Sequence, residues 1–193
     1  AAKAARAAFD GWAAKSPEER GKVCTQIGEG LAARMDEIAT VVTREAGMPK
    51  WLSQIVQAGL PINSFTEAGK LAQTVLAPLN RNGDLHPAKL ENGVVRTSPG
   101  FADAYRQIAE GGWVGIAADP EHGGMGLPLT LATAMGEMFA SANLSLSLCP
   151  LLSQGQIEAL EAHASPEMQA LYLPKLTSGQ WTGTMNLTEP QAG

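Results

Sequence analysis

Apolar positions in the first quarter of the chain repeat at three- and four-residue steps, the period of an amphipathic α-helix. Upstream, Ser16-Pro17-Glu18-Glu19 supplies an N-cap, a proline at the first helical position and a capping-box glutamate. Downstream, Gly47-Met48-Pro49 stops the pattern. One long helix is therefore predicted between the two signals. Its apolar stripe comprises Val23, Ile27, Leu31, Met35, Ile38 and Val42.

Shorter helices are predicted on both sides of this one. Residues 1–14 are rich in alanine, the best helix former, and place Phe9 and Trp12 on one face. A short helix is expected over 50–58, followed by a loose or extended attachment at 62–66. Gly28 and Gly30, inside the long helix, are interpreted as close-packing positions, because a phosphate-binding glycine loop needs a strand before it.

The second part of the chain predicts a bundle of helices with one glycine-rich loop at residues 112–126. Turn geometry is the simpler interpretation of these glycines, although they also allow backbone to approach a ligand. Residues 91–95 predict a tight turn, and Pro150 is expected to break a helix. The helices are expected to begin at 66, after Ser98-Pro99-Gly100, after Pro128, at Gln154 and after Ser165-Pro166-Glu167.

Residues 129–142 form one of these helices, with an apolar face at Leu131, Met135, Met138 and Phe139. Glu137 lies between them in sequence, and such a carboxylate is normally solvated or paired. At the other end of the chain, residues 181–188 carry β-branched and apolar side chains, and Pro190 and Gly193 follow them. This pattern predicts a strand that runs into a turn at a functional site.

Composition narrows the possible functions. Of 193 residues, 45% are hydrophobic and 17% charged, with a net charge of −5, which favours a globular, mostly α-helical protein without a nucleic-acid surface. Residues 1–65 carry a net charge of +1 and the remainder −6, which suggests two origins. No apolar run predicts a membrane span or signal peptide. The two cysteines fit a cytoplasmic protein, and the three histidines are too scattered for a metal site.

The first 65 residues carry a set of motifs in a distinctive order. Ala7 to Trp12, Ser16 to Arg20, Arg44 to Pro49 and Gln57 to Pro61 together resemble the N-terminal helices of NAD(P)-dependent aldehyde dehydrogenases. The nucleophilic cysteine, the general-base glutamate and the cofactor turn of that family belong much further along a longer chain. Cys24 lies on the apolar stripe and is therefore interpreted as a core residue.

From residue 66 onward a second resemblance applies. The motifs Gly112-Trp113-x-Gly115-Ile116, Pro120-x-x-Gly123-Gly124-x-Gly126, Tyr172 to Gly179 and Thr188-Glu189-Pro190-x-Ala192-Gly193 follow the order and spacing of acyl-CoA dehydrogenases. The phrase from 185 to 191 is most similar to the longer bacterial members. The resemblance implies three parts: a helical segment at 1–65, the family's N-terminal helical domain at 66–180, and the first strand and turn of an incomplete β-domain at 181–193.

The second resemblance also implies a cofactor and a reaction. It places Met185, Leu187 and Thr188 against the flavin of FAD, with backbone amides and the threonine hydroxyl on the ring's pyrimidine end. The parent reaction is α,β-dehydrogenation of an acyl-CoA to the enoyl-CoA, with electrons passing to an electron-transfer flavoprotein. Residues 129–142 would help to line the acyl pocket through Met135, Glu137 or Met138. The parent is expected to be a homo-oligomer.

No residue matches the family's catalytic glutamate, which belongs to a C-terminal helical bundle, and Glu189 is part of the turn motif. The chain is therefore expected to be chimeric and truncated, with no catalytic residue, an incomplete FAD site and no activity of its own. Two alternatives stay open. One is a fragment of an NAD-dependent aldehyde dehydrogenase, and the other is a non-catalytic helical module that binds partners by strand addition.

Overall fold

The computed structural model describes residues 2–186 and is mostly α-helical, as predicted. In chain order the α-helices are α1 (Ala2–Ala13), α2 (Pro17–Ala33), α3 (Met35–Ala46), α4 (Lys50–Leu52), α5 (Leu60–Leu71), α6 (Ala77–Leu85), α7 (Phe101–Glu110), α8 (Leu129–Ala142), α9 (Leu144–His163) and α10 (Pro166–Thr177). Strands β1 (Lys89–Glu91) and β2 (Val94–Arg96) form a hairpin between α6 and α7. Within 2–186, none of the helices combines the length and apolar character that a bilayer crossing requires.

The fold divides into two compact units. The first comprises the chain up to residue 78 together with 137–142, and the second comprises 79–136 together with the chain from 143 onward. The boundary expected at 65/66 lies inside α5, so the change of resemblance along the sequence does not coincide with a gap between helices.

In the first unit, α2 packs along α5. Gly28 is buried, and a Cβ built on it would lie 2.7 Å from Thr66 Oγ1, which confirms its role in close packing. Gly30 is exposed and has no atom within 4 Å of a Cβ position, so the same interpretation is wrong there. The glycine at 28 allows the two helices to approach.

The predicted long helix is two helices that meet at Arg34. The backbone of Arg34 has a φ of −108° and a ψ of 12°, which is not helical, so α2 ends and α3 begins at this residue. Asp36 and Glu37 lie in the first turn of α3, where carboxylates favour a helix N-terminus, and Arg34 pairs with Glu37 at 2.6 Å. Neither glycine nor proline marks this break, so the sequence contains no stop signal there and the apolar spacing continues across it. At the N-terminus of α2, the Ser16 and Glu19 capping box is confirmed.

Residues 50–85 are helical throughout, which corrects the prediction of a loose attachment at 62–66. Two π-helical segments, Ser53–Gly59 and Ala72–Leu76, interrupt the α-helical hydrogen-bond pattern. Pro61 and Pro78 each come within two residues after such a segment. Because a π-helical turn shifts the backbone pairing, the chain passes both prolines without stopping.

The tight turn expected at 91–95 is confirmed. Asn92 and Gly93 have positive φ values of 51° and 77°, as a two-residue hairpin turn requires. The helix that follows does not use Ser98 as a side-chain cap. Gly100, with a φ of 86°, holds the cap position of α7, and the Phe101 amide donates to the Ser98 carbonyl.

The helix predicted after Pro128 is confirmed as α8, and its four apolar-face residues are all buried. Pro150, in contrast, does not break a helix, because α9 runs through it from 144 to 163. Pro150 is itself buried, so packing compensates for the hydrogen bond that its missing N–H leaves unmade. Ser165 caps α10 as predicted, by accepting the Met168 amide.

Candidate functional site

The second unit carries an exposed apolar stripe on α9. Leu144, Leu148 and Leu151 are spaced by four and three residues, so they lie on one face of the helix. Their exposed fractions are 61%, 49% and 56%, although leucine is normally buried. The opposite face of α9 is buried through Leu146, Ser153 and Ile157. An exposed apolar stripe of this kind, opposite a packed face, is a candidate surface for a ligand or partner.

The start of this stripe is fixed by Asn143. Its side chain is fully buried, and its Oδ1 accepts hydrogen bonds from the Leu146 amide at 3.1 Å and the Ser145 hydroxyl at 3.0 Å. A buried cap with two such bonds holds the first turn of α9 in one orientation. The leucine stripe is therefore presented by a rigid element.

The segment that follows α10 docks on the same helix. The Gly183 amide donates to Ser153 Oγ at 3.0 Å. A Cβ on Gly183 would lie 2.5 Å from Gln156 Oε1 and 3.0 Å from the Leu152 carbonyl oxygen, so only glycine fits. This close contact brings Gly183 onto α9 at Ser153, on the face opposite the leucine stripe.

Trp181 anchors the beginning of that segment. Its amide donates to the Lys175 carbonyl at 3.0 Å, and the Lys175 ammonium lies 4.1 Å from the centroid of its ring. The ring also lies 6.0 Å from that of Tyr172. A cation over an indole face is a favourable contact. The anchor fixes the exit of the chain from α10.

Residues 181–186 do not form the predicted strand. They have no strand pairing in the described structure, and β1 and β2 pair only with each other. Because a strand exists only through hydrogen bonds to a neighbour, β-branched side chains alone do not create one. The remainder of the predicted strand and turn, from 187 to 193, lies outside the described residues.

Of the three residues expected at the flavin, one lies within the described residues and two lie outside them. Met185 is 64% exposed, two residues beyond the Gly183 contact. Leu187 and Thr188, which were expected to supply hydrogen-bond donors, lie outside the described residues. The placement of these three residues against FAD therefore stays a prediction.

The side chains of α8 were the other candidates for the acyl pocket. Met135 and Met138 are 5% and 8% exposed and belong to the core. Glu137 is exposed, and its Oε1 accepts the Trp12 indole N–H at 2.7 Å, so of the two alternatives it is paired. The leucine stripe of α9 was not predicted, because a break at Pro150 was expected. The four- and three-residue spacing of the leucines was the signal that identifies it.

The glycine-rich loop satisfies its own amides. Those of Gly124, Met125, Gly126 and Leu127 donate to backbone carbonyls within residues 115–119. A phosphate-binding loop needs such amides free to face the ligand. Turn geometry is therefore the supported interpretation of these glycines. Close packing adds to it, because a Cβ on Gly124 would overlap with Ala118.

The described residues contain no cluster of histidine, cysteine and carboxylate side chains that would hold a metal ion. Cys149 is a free, half-buried thiol, and burial raises its pKa. A raised pKa lowers the thiolate fraction at neutral pH, so Cys149 does not have the character of a nucleophile. The side chain of Cys24 is outside the described part of the chain, and its assignment to the core stays a prediction.

Two family models match the chain. The N-terminal domain of acyl-CoA dehydrogenases matches residues 66–180, and the aldehyde dehydrogenase family matches residues 1–97. The matches overlap at 66–97.

Curated relatives of both kinds were found. A 3-methylmercaptopropionyl-CoA dehydrogenase of Ruegeria pomeroyi is 47% identical over 67% of this chain and 22% of its own length. A butyryl-CoA dehydrogenase of Syntrophomonas wolfei is 33% identical over 68% of this chain and 22% of its own length. An N-succinylglutamate 5-semialdehyde dehydrogenase of Chromobacterium violaceum is 49% identical over 26% of this chain and 10% of its length.

The chain thus spans about a fifth of the length of the acyl-CoA dehydrogenases that it matches. The helices after residue 66 and the leucine stripe lie within the residues that the acyl-CoA dehydrogenase family model matches, and the docked segment at 181–186 follows them. The chain belongs to the acyl-CoA dehydrogenase family through residues 66–180, and to the aldehyde dehydrogenase family through residues 1–97.

Proposed function

We propose that this chain contributes the N-terminal helical part of the acyl-CoA and FAD site of an acyl-CoA dehydrogenase. The observation that carries the proposal is the exposed leucine stripe of α9, the helix on whose other face the segment around Gly183 docks. A thioester with an acyl chain needs an apolar surface that excludes water on one side and polar donors at its carbonyl end. The leucine stripe provides the apolar surface.

FAD, when bound, supplies the acceptor for the hydride that leaves the β carbon of the acyl group. The chain's own residues would hold the reactants in place. Leu144, Leu148 and Leu151 would pack against the acyl or pantetheine part of the substrate and exclude water from it. Met185 would lie against the ring, and Leu187 and Thr188 would donate hydrogen bonds to its pyrimidine end, where negative charge develops.

No catalytic base is assigned to this chain. Glu137 is engaged by Trp12, and the other candidate, Glu189, belongs to the turn motif and lies outside the described residues. The proton α to the thioester would therefore be removed by a glutamate that the family carries in its C-terminal helices. We expect the chain alone to show no dehydrogenase turnover and no tight stoichiometric FAD. The complete enzyme would be a cytoplasmic homo-oligomer that passes electrons to an electron-transfer flavoprotein.

Binding of a thioester to the purified chain tests the proposal. Butanoyl-pantetheine should bind, and Leu148→Glu should weaken its binding about tenfold or more, since the charge is desolvated against the ligand. Leu171→Glu is the matched control, because Leu171 is a comparably exposed leucine on α10. Equal affinity of wild type and Leu148→Glu would contradict the acyl-binding role. Turnover of butanoyl-CoA with an artificial acceptor would contradict the absence of a base.

A second function is favoured by one observation, the aldehyde dehydrogenase match over residues 1–97. In this case the N-terminal helices would belong to an NAD-dependent enzyme that oxidises aldehydes. The described residues place no nucleophile in a suitable environment, since Cys149 has a raised pKa. Reduction of NAD in the presence of an aldehyde would support this alternative, and its absence together with thioester binding would support the first proposal.

A further inference from the structure

The β1–β2 hairpin borders a cavity of about 230 Å³. Lys89, Arg96, His86 and Thr97 line it with hydrogen-bond donors, and Glu91 is the carboxylate among its lining residues. All of these side chains are exposed at the surface. Lys89 and Arg96 outnumber the single carboxylate Glu91, so the lining carries a net positive charge in a chain whose net charge is −5.

Two like charges face each other across this hairpin. Lys89 and Arg96 are direct cross-strand partners in the antiparallel register, whereas Glu91 is opposite Val94. Like charges directly opposite one another destabilise a strand pair. Among residues 2–186 no ion pair involves Lys89 or Arg96. A bound anion would remove this repulsion.

The donor types around the cavity match a phosphate group. A guanidinium offers two parallel N–H groups to phosphate oxygens, and an ammonium adds a point charge. The Thr97 hydroxyl and an imidazole N–H of His86 add neutral donors. A carboxylate ligand has two acceptor oxygens, so a phosphate group with three or more makes fuller use of this set of donors.

The cavity is linked to the start of α9 through the end of α6. Asn82 Nδ2 donates to the Pro99 carbonyl at 2.6 Å, and this bond ties the end of α6 to the cavity wall. The next residue, Gly83, packs against Phe101 and Ser145, the neighbour of Leu144. From Leu144 the stripe continues for seven residues, about 10 Å along α9. The positive cavity and the start of the leucine stripe are thus connected through α6 within a single compact unit.

We propose that the hairpin cavity binds the phosphate groups of a coenzyme A thioester, whose less polar arm lies along the leucine stripe. This inference rests on the proposed function and extends it to the recognition of the coenzyme. The ligand chemistry is that of a phosphoanion. Because coenzyme A and free phosphate share it, the experiment compares the two.

Titration calorimetry on the full chain uses coenzyme A, butanoyl-CoA, butanoyl-pantetheine and inorganic phosphate as separate probes. The Lys89→Gln/Arg96→Gln variant should weaken binding of coenzyme A and butanoyl-CoA about tenfold, since two charge-assisted contacts are lost. Binding of butanoyl-pantetheine, which lacks the phosphates, should not change. Glu91→Gln should tighten coenzyme A binding, and Lys70→Gln, a charge removal on α5, should leave it unchanged. Retained helical circular dichroism confirms that each variant is folded.

The outcomes separate the two proposals. If wild type binds butanoyl-pantetheine but the double variant binds coenzyme A as wild type does, the cavity assignment is wrong and the acyl surface stands. If coenzyme A binds and butanoyl-pantetheine does not, the acyl surface is wrong and the cavity stands. Inorganic phosphate that binds as tightly as coenzyme A would overturn the coenzyme assignment in favour of a free phosphate site.

Discussion

Trp12 Nε1 donates a hydrogen bond of 2.7 Å to Glu137 Oε1, across 125 positions of the chain. Trp12 is on α1, in the part that resembles aldehyde dehydrogenases, and Glu137 is on α8, in the acyl-CoA dehydrogenase part. Both belong to the first compact unit. The N-terminal part is therefore packed with elements of the other family inside one unit.

We expect Trp12→Phe to lower the free energy of unfolding by about 1 kcal/mol, because the ring is kept while a donor to a charged acceptor is lost. The exposed position places the effect at the lower end of the range for such bonds. Urea denaturation of Trp12→Phe, Glu137→Ala and the double variant forms a cycle that isolates the pair. Strictly additive losses would mean that this bond does not form in solution.

Gly28 and Gly30 of α2 provide a matched pair. A Cβ at residue 28 would meet Thr66 Oγ1. This hydroxyl already donates to the Ile62 carbonyl at 2.9 Å, so the Thr66 side chain cannot rotate away without losing that hydrogen bond. Gly30→Ala should stabilise the protein by about 0.5–1 kcal/mol through helix propensity. Gly28→Ala should instead destabilise it by about 1–3 kcal/mol through overpacking.

Thermal unfolding of the two variants measures this difference in sign. Gly28→Ala combined with Thr66→Ala should recover part of the loss, because the overlapping hydroxyl is removed. If Gly28→Ala were as stabilising as Gly30→Ala, α2 and α5 would not be in the close contact described here.

The ion pair of Asp36 predicts a dependence on pH. The Lys50 ammonium lies 2.8 Å from the Asp36 carboxylate and, mainly by this hydrogen bond, lowers its pKa below the ordinary 3.8. A pKa lowered by folding gives stability that is present above the ordinary value and lost as the pH falls through the folded value. Asp36→Asn should therefore destabilise the protein near neutral pH and match wild type well below pH 3.8.

The measurement is the denaturation midpoint as a function of pH for wild type, Asp36→Asn and Lys50→Gln. As the pH falls, the denaturation midpoints of both variants should approach that of wild type. High salt should reduce the difference in midpoint between variant and wild type at all pH values, because the ion pair is exposed. A difference from wild type that is independent of pH would contradict the ion pair as its cause.

Local signals in the sequence were sufficient to predict helix caps and a tight turn, because these features depend on backbone groups only a few residues apart. The Ser16 and Ser165 caps and the turn at Asn92-Gly93 were predicted, because each satisfies orphan amides or a positive φ within a few residues. The helix break predicted at Pro150 was wrong, because tertiary packing compensates for the missing amide, and the chain also stays helical through Pro61 and Pro78, each of which follows a π-helical segment. Such compensation depends on distant contacts.

The candidate site was predictable only in part. Residue 185 was placed by resemblance, and the structure adds the docking at Ser153 and the exposed stripe of α9. Hydrophobic periodicity alone does not distinguish an exposed apolar face from a buried one, because both have the same spacing. The strand expected from 181 depends on a pairing partner, which the sequence of a single segment does not specify.

Thr177 holds a buried hydroxyl without a hydrogen-bond partner in the described structure. The residue is 2% exposed, and its side chain packs against Gly115. An unsatisfied buried hydroxyl costs free energy that a methyl group of the same shape does not. Thr177→Val should therefore raise stability by about 1 kcal/mol.

Differential scanning calorimetry of Thr177→Val, with Thr177→Ala as the control, tests this expectation. Alanine removes the unsatisfied hydroxyl but also a packed methyl, so it should be less stable than the valine variant. A valine variant less stable than wild type would mean that the hydroxyl has a partner in solution.

Gly183 should control whether residues 181–186 remain docked on α9. A Cβ at this position would meet the Leu152 carbonyl and Gln156, and backbone cannot move aside without disturbing the helix. Gly183→Ala should therefore release the segment, and hydrogen exchange at its amide should accelerate together with that of its neighbours. Gly155→Ala, where no atom lies within 4 Å of the added Cβ, is the matched control and should leave exchange unchanged.

Ser153→Ala removes only the acceptor of the Gly183 amide and should accelerate exchange at that single amide. Unaltered protection in Gly183→Ala would show that the docking does not depend on close approach, and that Met185 is positioned by other contacts.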